Sequence, residues 1–380
     1  MQRTRFADNE SEHLGRGEKM RPSILKSVRE GTRRRLRIFG WVVAAGTLVG
    51  IFYGGLIGFT GWGYILRGGY IGAVHGFIIS FMIGLLEIFA LRTRVGRWVD
   101  QKPLILTILI KGLVYGTVIT IVELGNIGEM VVVGKVNDPV TARSFAPVSI
   151  AFSFLVTFII MFLLQISRLV GGQTLLNLVL GRYHRPRLEE RFFLFVDIIG
   201  STPLAEKIGP LSMHRFLNQV FALVADPITD HHGEIYQYVG DEIVITWRSA
   251  DGRHAARPLA CFFAIQSALD DAASWFEDNI DVIPAVRGAL HVGPVVSGEV
   301  GVNRRSIVFH GDVMNAGARL EQATRDMGCP FLVSGDAIAL IEGKDGFYIH
   351  DHGRHTLRGR QTPMQIYEVK TSTTQRSGEG

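Results

Sequence analysis

The sequence predicts an all-α membrane domain followed by an α+β domain, and three observations support this fold class. Four long apolar runs lie in the first half of the 380-residue chain. In the second half, short β-rich runs alternate with stretches of helical periodicity. The order of these elements is β-α-β-β-α-β, which is the order of a ferredoxin-like palm, an antiparallel sheet with helices on one face. The chain length also favours two domains.

Charge and cysteine content restrict the compartment and the partners. The sequence has two cysteines, Cys261 and Cys329, which argues against a disulfide framework and fits a reducing compartment. The net charge is +5, and the basic residues concentrate beside the apolar runs. In that position they favour membrane orientation over nucleic-acid binding, so no nucleic-acid partner is expected.

Residues 1–37 are predicted to form a basic cytoplasmic tail, with eleven Lys or Arg against five Asp or Glu. The segment is too charged for a simple secretion signal, and no small-residue cleavage pattern follows it. A DNA-binding arm is the alternative, but aromatic residues do not alternate with the basic ones. At the other end of the chain, residues 371–380 are expected to form a disordered tail.

Residues 38–166 carry the four apolar runs and are predicted to form a transmembrane domain of four helices. The runs cover residues 38–60, 70–91, 104–123 and 147–166. Each can cross the ~30 Å hydrocarbon core at about 1.5 Å per residue. Basic residues are densest between the second and third runs and after the fourth. The positive-inside rule therefore predicts a multi-pass protein of the cell (inner) membrane, with both termini cytoplasmic and the lipid bilayer as a partner.

Small and polar residues within these runs suggest how the helices pack. Four glycines recur every four residues on one helix face, namely Gly46, Gly50, Gly54 and Gly58. This face is predicted to pack against another span, or alternatively against a second copy of the chain. Glu87 and Lys111 fall at similar depths, which predicts a structural ion pair, with a ligand or ion sensor site as the alternative.

Residues 167–191 are predicted to link the two domains. Leucines such as Leu175 and Leu178 favour a short amphipathic helix there. The segment is either a passive tether or a transducing helix, because any signal carried along the chain must pass through it.

Residues 192–370 contain two carboxylates in positions that favour phosphoryl chemistry. Asp197 ends the apolar run FFLFVDI, and Asp241 lies between two β-rich runs in EIYQYVGDEIVITW, as at a hairpin tip. Two such carboxylates can hold a pair of divalent cations, and the turn Gly200-Ser201-Thr202 offers backbone donors to phosphates. The alternative is that Asp197 caps the next helix and Asp241 fills a β-turn.

A later segment, HGDVMNAGARLEQATR, is predicted to be a helix with Asp312 as its N-cap. Asn315 and Arg319 are four residues apart and therefore lie on one face of this helix. An amide suits the orientation of a sugar, and a guanidinium suits a phosphoryl oxygen. Alone, such a pair is more often simply solvated.

Taken together, these stretches resemble the class III nucleotidyl cyclase catalytic domain, the family of adenylate and guanylate cyclases, over residues 185–370. The resemblance implies that Asp197 and Asp241 bind two divalent cations, Mg²⁺ or Mn²⁺, with the carbonyl of Ile198 as a further ligand. It also implies that Asn315 and Arg319 stabilise the transition state. In this family the two pairs come from opposite subunits, so a homodimer is expected.

The same resemblance implies where the nucleotide binds. Arg287 in VRGALHVG is similar to a triphosphate-contacting arginine, and Arg358 in LRGRQTP stands where a triphosphate-binding lysine is usual. The purine-reading positions carry Gln237 and Val308, which depart from the common pattern. Gln can pair with either purine and Val with neither, so these two residues leave ATP and GTP open. ATP is the expected substrate only because the resemblance is to a family whose bacterial members mostly use it, and GTP is the alternative.

The expected function is therefore that of a membrane-bound adenylate cyclase that makes 3′,5′-cyclic AMP and pyrophosphate from ATP, for signal transduction. A guanylate cyclase is one alternative, and an inert receptor whose cyclase-like domain only dimerises is another. A GGDEF-type diguanylate cyclase is disfavoured, because Val239 and Ile243 depart from that signature and it has no use for the Asn315 helix.

Overall fold

The computed structural model describes residues 36–37, 39–56, 62–89, 93–100, 102–132, 139–302 and 305–371. The expectations for residues 1–35 and for the tail at 372–380 lie outside the described residues. The chain divides into two compact units, with the boundary between Leu169 and Val170.

The first unit is helical, with α1 (Phe39–Leu56), α2 (Trp62–Phe89), α3 (Arg94–Asp100), α4 (Leu104–Val132) and α5 (Pro139–Val170). Four of these helices contain apolar windows of 18 to 23 residues, long enough to cross a membrane. The windows are Phe39–Leu56, Ile65–Glu87, Ile105–Leu124 and Ile150–Ser167. The four predicted long apolar helices are present in this unit, which also contains the short α3, although the second helix begins at Trp62 and not near residue 70.

The glycine face of α1 packs against glycines of α2. A methyl group on Gly50 would lie 2.1 Å from the carbonyl oxygen of Gly72, and one on Gly54 would lie 2.0 Å from that of Gly68. The two backbones therefore touch, as small residues permit in lipid. This glycine face therefore packs against another helix of the same chain, which is the first of the two predicted alternatives. Gly58 lies outside the described residues.

Polar residues of the spans are paired within the unit. Lys111 Nζ lies 3.0 Å from Glu87 Oε1, and the Tyr115 hydroxyl donates to the other oxygen of Glu87. Ser153 Oγ donates to Glu123 Oε1 at 3.4 Å. The pairing of Glu87 with Lys111 offsets part of the cost of burying both charges.

The second unit contains eight strands and seven helices among the described residues. They are α6 (Gly172–Val179), β1 (Arg187–Ile198), α7 (Ser201–Asp230), β2 (Glu234–Val239), β3 (Glu242–Arg248), α8 (Ser249–Gly252), α9 (Arg257–Asp271), α10 (Ala273–Ile280), β4 (Val286–Val300), β5 (Ser306–His310), α11 (Asp312–Met327), β6 (Phe331–Ser334), α12 (Gly335–Leu340), β7 (Phe347–His355) and β8 (Met364–Thr371). A single 3₁₀ turn, His254–Ala256, precedes α9. Gly209 kinks α7, as the Gly-Pro pair predicts.

The strands form one sheet in the order β2-β3-β1-β4-β6-β8-β7, with β5 paired to β4. The part β2-β3-β1-β4 is the predicted palm, in which every pair is antiparallel. The pairing of β4 with β6 is parallel, so the whole sheet is mixed and not antiparallel. The runs AVRGALHV and PVVSGEV each have the β-rich pattern that predicts a separate short strand, but the structure joins them in the single strand β4. Its Pro294 lies between the stretches that pair with β6 and β5, where no donor to either is needed.

The two palm helices, α7 and α9, share one face of the sheet, as predicted, and α11 covers the other face. Even-numbered residues of β1 pack with α7 and α9 in the larger core, whereas Phe193 and Phe195 face α11. This follows from the two-residue period of a strand. The approach of α11 is close, because a methyl group on Gly317 would lie 2.2 Å from the Phe195 ring. Asp197 therefore belongs to the face covered by α11.

Arg191 anchors the start of β1 and is fully buried. Its guanidinium lies 2.8 Å from Glu234 Oε2 and 3.2 Å from Glu189 Oε1, and donates to Thr246 Oγ1 at 3.0 Å. It also donates to the hydroxyl of Tyr183, which precedes the sheet, at 3.4 Å. The buried charge is thus compensated on several sides, as stability requires.

We expect Gly50→Ala to destabilise the helical unit by about 1–3 kcal/mol, because the added methyl group collides with backbone of α2. The apparent unfolding temperature of the detergent-solubilised chain measures this. Gly40→Ala on the same helix is the matched control, since a methyl group there has no heavy atom within 4 Å. Equal unfolding temperatures for the two variants would contradict the packing.

Candidate active site at the end of strand β1

The candidate site is centred on Asp197, the penultimate residue of β1, whose exposed fraction is 3%. In the sheet register Asp197 lies opposite Glu242 of β3 and opposite Arg287 of β4. Residues opposite each other in neighbouring strands project from the same face. The sheet therefore presents an acid, an acid and a base in one row beneath α11.

Two arginines hold the carboxylate of Asp197. Arg287 Nε lies 2.9 Å from Asp197 Oδ2, and Arg325 Nη2 of α11 lies 3.0 Å from the same oxygen. Glu321, one helical turn before Arg325, has its Oε1 3.6 Å from Arg287 Nε and 3.5 Å from Arg325 Nη2. Asp197 and Glu321 are both buried, so these charge-assisted contacts act in a region of reduced screening.

The β2–β3 hairpin brings Asp241 beside Asp197. Val239 pairs with Glu242, so Gly240 and Asp241 form a two-residue turn, and Gly240 has φ +64°. A turn of this kind favours glycine at its first position. Burial raises the pKa of Asp197, and the adjacent Asp241 raises it further, whereas the guanidinium of Arg287 lowers it. Asp241 is half-buried at the edge of the cluster.

The other two carboxylates of the cluster are also hard to ionise. Burial raises the pKa of Glu242 to about 7, and the neighbouring charges of Glu321, Asp197 and Asp241 reinforce the shift. Burial likewise raises the pKa of Glu321, although Arg325 lowers it. The cluster therefore holds more acidic groups than its two arginines can neutralise. Oxygen donors of this type suit hard divalent cations such as Mg²⁺, so the donor set fits the predicted metal.

The turn after β1 leads directly into α7. Ile198 is the last residue of β1, and Gly200, with φ +73°, is the N-cap of α7 and makes no side-chain cap hydrogen bond. Asp197 therefore does not cap this helix, and that alternative is wrong. Ser201 and Thr202 form the first turn, whose free N–H groups and positive dipole end favour an anion.

Asn315 and Arg319 lie on the exposed side of α11. Arg319 Nη1 donates to Gln322 Oε1 at 3.1 Å, and no hydrogen bond joins Arg319 to Asp197 among the described residues. Asp312 is not the N-cap of α11, because Gly311 occupies that position. Asp312 Oδ2 instead lies 2.7 Å from Arg360 Nη1. Within one chain, α11 thus directs Glu321 towards the sheet and Asn315 and Arg319 outward.

Three of the predicted nucleotide contacts belong to β2, β5 and the connection between β7 and β8. Gln237 is exposed on β2, opposite Val244, where the strand register shifts. Val308 is half-buried on β5, opposite Gly298. Arg358 is exposed in the connection between β7 and β8. The part of the chain that the structure describes contains no hydrogen bond from any of them to Asp197.

Three residues of the site were missed in the sequence, namely Glu242, Glu321 and Arg325. Glu242 follows Asp241 directly, and it can be assigned to the site only when the strand register that sets it opposite Asp197 is known. Glu321 could have been recognised in the sequence, because it is a charged residue in the buried stripe of α11, four residues after Gly317. A charged residue at an apolar helical position commonly has a partner.

Residues 185–371 match the model of the adenylate and guanylate cyclase catalytic domain. This half of the chain therefore belongs to that family, and the resemblance to class III cyclases is confirmed.

Among curated relatives, the chain is 37% identical to "Adenylate cyclase 2" of Rhizobium meliloti (strain 1021) over 222 residues, which cover 58% of this chain and 60% of that protein. It is 31% identical to "Adenylate cyclase 1" of the same organism over 181 residues, 46% of this chain and 27% of that protein. The chain thus spans less than two thirds of either relative. A bacterial light-regulated adenylyl cyclase has a similar fold, with TM-score 0.50, 17% identity, and 58% of this chain and 64% of that chain covered.

We expect the stability of the metal-free catalytic unit, residues 170–380, to fall as the pH rises from about 4.5 to about 7. The folded state raises the pKa of Glu242 from 4.5 to about 7, so the fold favours the protonated acid and loses this contribution as the acid ionises. The loss amounts to up to about 3 kcal/mol. Urea unfolding with a chelator present, measured at several pH values, tests it.

Glu242→Gln should flatten this decline and stabilise the unit above pH 7. Glu277→Gln, which changes an exposed carboxylate on α10, is the control and should leave the curve unchanged. If the Glu242→Gln and original curves run parallel, Glu242 is not the group that titrates.

Proposed function

We propose that the protein is a membrane-bound adenylate cyclase that converts ATP to 3′,5′-cyclic AMP and pyrophosphate as a homodimer. The observation that carries this proposal is the meeting of Asp197 and Asp241 at the end of β1, inside a domain of the cyclase family.

Two divalent cations, Mg²⁺ or Mn²⁺, fit the donor set of this site. Asp197 and Asp241 are the proposed carboxylate ligands, with the carbonyl of Ile198 as a third. Bound there, the cations would lower the charge of the triphosphate and favour ionisation of the ribose 3′-hydroxyl. Arg287 and Arg325 neutralise Asp197 in the structure, so a cation would replace part of their contact with it.

In the proposed reaction the 3′-oxygen of the ribose forms a bond to the α-phosphorus. The bond from that phosphorus to the bridging oxygen breaks, pyrophosphate leaves, and the hydroxyl proton is released. Arg287 and Arg358 bind the triphosphate, and the N-terminus of α7 at Gly200, Ser201 and Thr202 offers it backbone donors.

The exposed positions of Asn315 and Arg319 support the proposed homodimer. Both are exposed on α11, on the side away from Glu321, so they are accessible to a second copy of the chain. We propose that Asn315 of one protomer orients the ribose and Arg319 stabilises charge at the α-phosphorus, while the partner supplies the carboxylates. Two-fold symmetry then gives two equivalent sites.

ATP is the proposed substrate because the similar curated relatives are named adenylate cyclases. Gln237 and Val308 are the proposed purine contacts. The Gln237 side chain is exposed and carries both a donor and an acceptor, so it can pair with the edge of adenine.

We further propose that α1, α2, α4 and α5 cross the cell membrane, with both termini in the cytoplasm, since their lengths and apolarity suit a bilayer. Residues 167–191, which include α6, would then join the membrane helices to the catalytic domain.

The purified catalytic unit should form cyclic AMP from ATP in the presence of Mg²⁺ or Mn²⁺, and Asp197→Asn should reduce the rate by on the order of 100-fold or more. Product analysis with ATP and GTP supplied in parallel measures this. If cyclic GMP is the preferred product, GTP and not ATP is the substrate, and the assignment as a nucleotidyl cyclase is unchanged. If a folded, dimeric unit forms neither cyclic AMP nor cyclic GMP, the result would favour the inert receptor.

An equal mixture of Asp241→Ala and Arg319→Ala chains should recover about one quarter of the original activity, although each variant alone is inactive. Half of the randomly formed dimers are mixed, and each mixed dimer has one intact site of two. The control is a mixture of Asp241→Ala with Asp197→Ala, in which no site is intact. Failure of verified mixed dimers to recover activity would contradict the shared site.

A further inference from the structure

A second cluster of ligating side chains lies outside the candidate active site. It consists of Cys329, His352 and Glu368, whose ligand atoms all lie within 4.8 Å of one another. Cys329 Sγ is 3.7 Å from His352 Nε2, which is 3.7 Å from Glu368 Oε2. Three elements that are distant in sequence therefore converge on one point.

The backbone explains why these three side chains meet. Cys329 follows Gly328, the left-handed residue that ends α11, and its N–H donates to Thr324 O at 3.1 Å. His352 is the extra residue of a β-bulge in β7, because the register with β8 shifts between Asp351 and Gly353. Bulges commonly re-aim a side chain.

The spacing of the ligand atoms suits a tetrahedral zinc ion. With Zn–S near 2.3 Å and Zn–N or Zn–O near 2.0–2.1 Å, tetrahedral ligand atoms lie about 3.4–3.6 Å apart. Both observed distances of 3.7 Å are within a few tenths of an ångström of this range. A small side-chain adjustment would complete the geometry.

The state of the ligands is compatible with a metal. Cys329 and Glu368 are buried and His352 is half-buried, so the site is sheltered but reachable from solvent. Lys370 Nζ lies 3.0 Å from Glu368 Oε1, which leaves Oε2 towards His352. The exposed ring of His350 lies edge-on to that of His352, with the centroids 4.9 Å apart, and His350 contributes none of the three ligand atoms.

We propose that Cys329, His352 and Glu368 form a zinc site that is separate from the carboxylate cluster at Asp197. A thiolate, an imidazole and a single carboxylate form a softer donor set than Mg²⁺ prefers, so the two sites would select different ions. Three protein ligands leave a fourth position for water. Because Cys329 lies two residues beyond α11, bound zinc would tie the end of that helix to β7 and β8.

The test is metal binding by the full chain in detergent micelles, with Mg²⁺ in excess to occupy oxygen-donor sites. Titration with CoCl₂ should give a thiolate-to-cobalt charge-transfer band and the intense visible bands of tetrahedral cobalt, and ZnCl₂ should abolish both at one equivalent. Competition with a chromophoric chelator gives the zinc affinity.

Cys329→Ser should remove the charge-transfer band, and His352→Gln should weaken zinc binding at least tenfold. Cys261→Ala changes the other cysteine and His350→Gln changes the neighbouring histidine, and both should bind zinc as the original chain does. If Cys329→Ser fails to fold, the contrast between His352→Gln and His350→Gln decides the question alone. Cobalt without the charge-transfer band, or equal zinc affinity in all variants, would overturn the proposal.

Discussion

The pairing of β1 on both of its edges is the constraint on which the site depends. β3 and β4 fix the register of β1 along most of its length, and that register sets Asp197 between Glu242 and Arg287. A slip of one residue would turn the carboxylate to the face covered by α7 and α9, among apolar side chains. The packing of the apolar residues of β1 therefore also fixes the position of Asp197.

The two arginines around Asp197 neutralise only part of the negative charge of the carboxylate cluster. Four acidic groups meet two guanidinium groups, and burial makes each unneutralised carboxylate costly. The raised pKa of Glu242 shows that part of the mismatch is relieved by protonation. Two divalent cations would relieve it too, and would leave a positive excess towards an incoming triphosphate. The same excess of acidic groups thus lowers the stability of the metal-free domain and would bind the cations that attract the proposed substrate.

Much of the architecture could be predicted because it rests on local patterns. The apolar runs, the palm order, the Gly209 kink and the hairpin at Gly240 all have signals within a few residues of themselves. The mixed sheet, the joining of two runs into β4 and the helix on the second face could not be predicted, because they depend on long-range packing. Pro294 is tolerated inside β4 because it lies between the stretches that pair with β5 and β6, and the local sequence does not reveal this pairing.

The carboxylates Asp197 and Asp241 could be selected from sequence because each ends or interrupts an apolar run. Glu321 and Arg325 required the close approach of α11 to β1, which depends on the absence of a side chain at Gly317. Asp312 was misplaced by one position because Gly311 precedes it and takes the cap. The roles assigned to all of these site residues, including the metal-ligand roles of Asp197, Ile198 and Asp241, stay predictions.

The buried Arg191 gives β1 a mechanical property. Its guanidinium donates to Tyr183, which precedes the sheet. Asp197, the penultimate residue of β1, lies six residues after Arg191 and therefore about 20 Å from it at ~3.3 Å per residue. A strand held on both edges is stiff along its axis. A displacement of the backbone near Tyr183 would therefore move β1 as one rigid element and displace the Asp197 carboxylate by a similar distance.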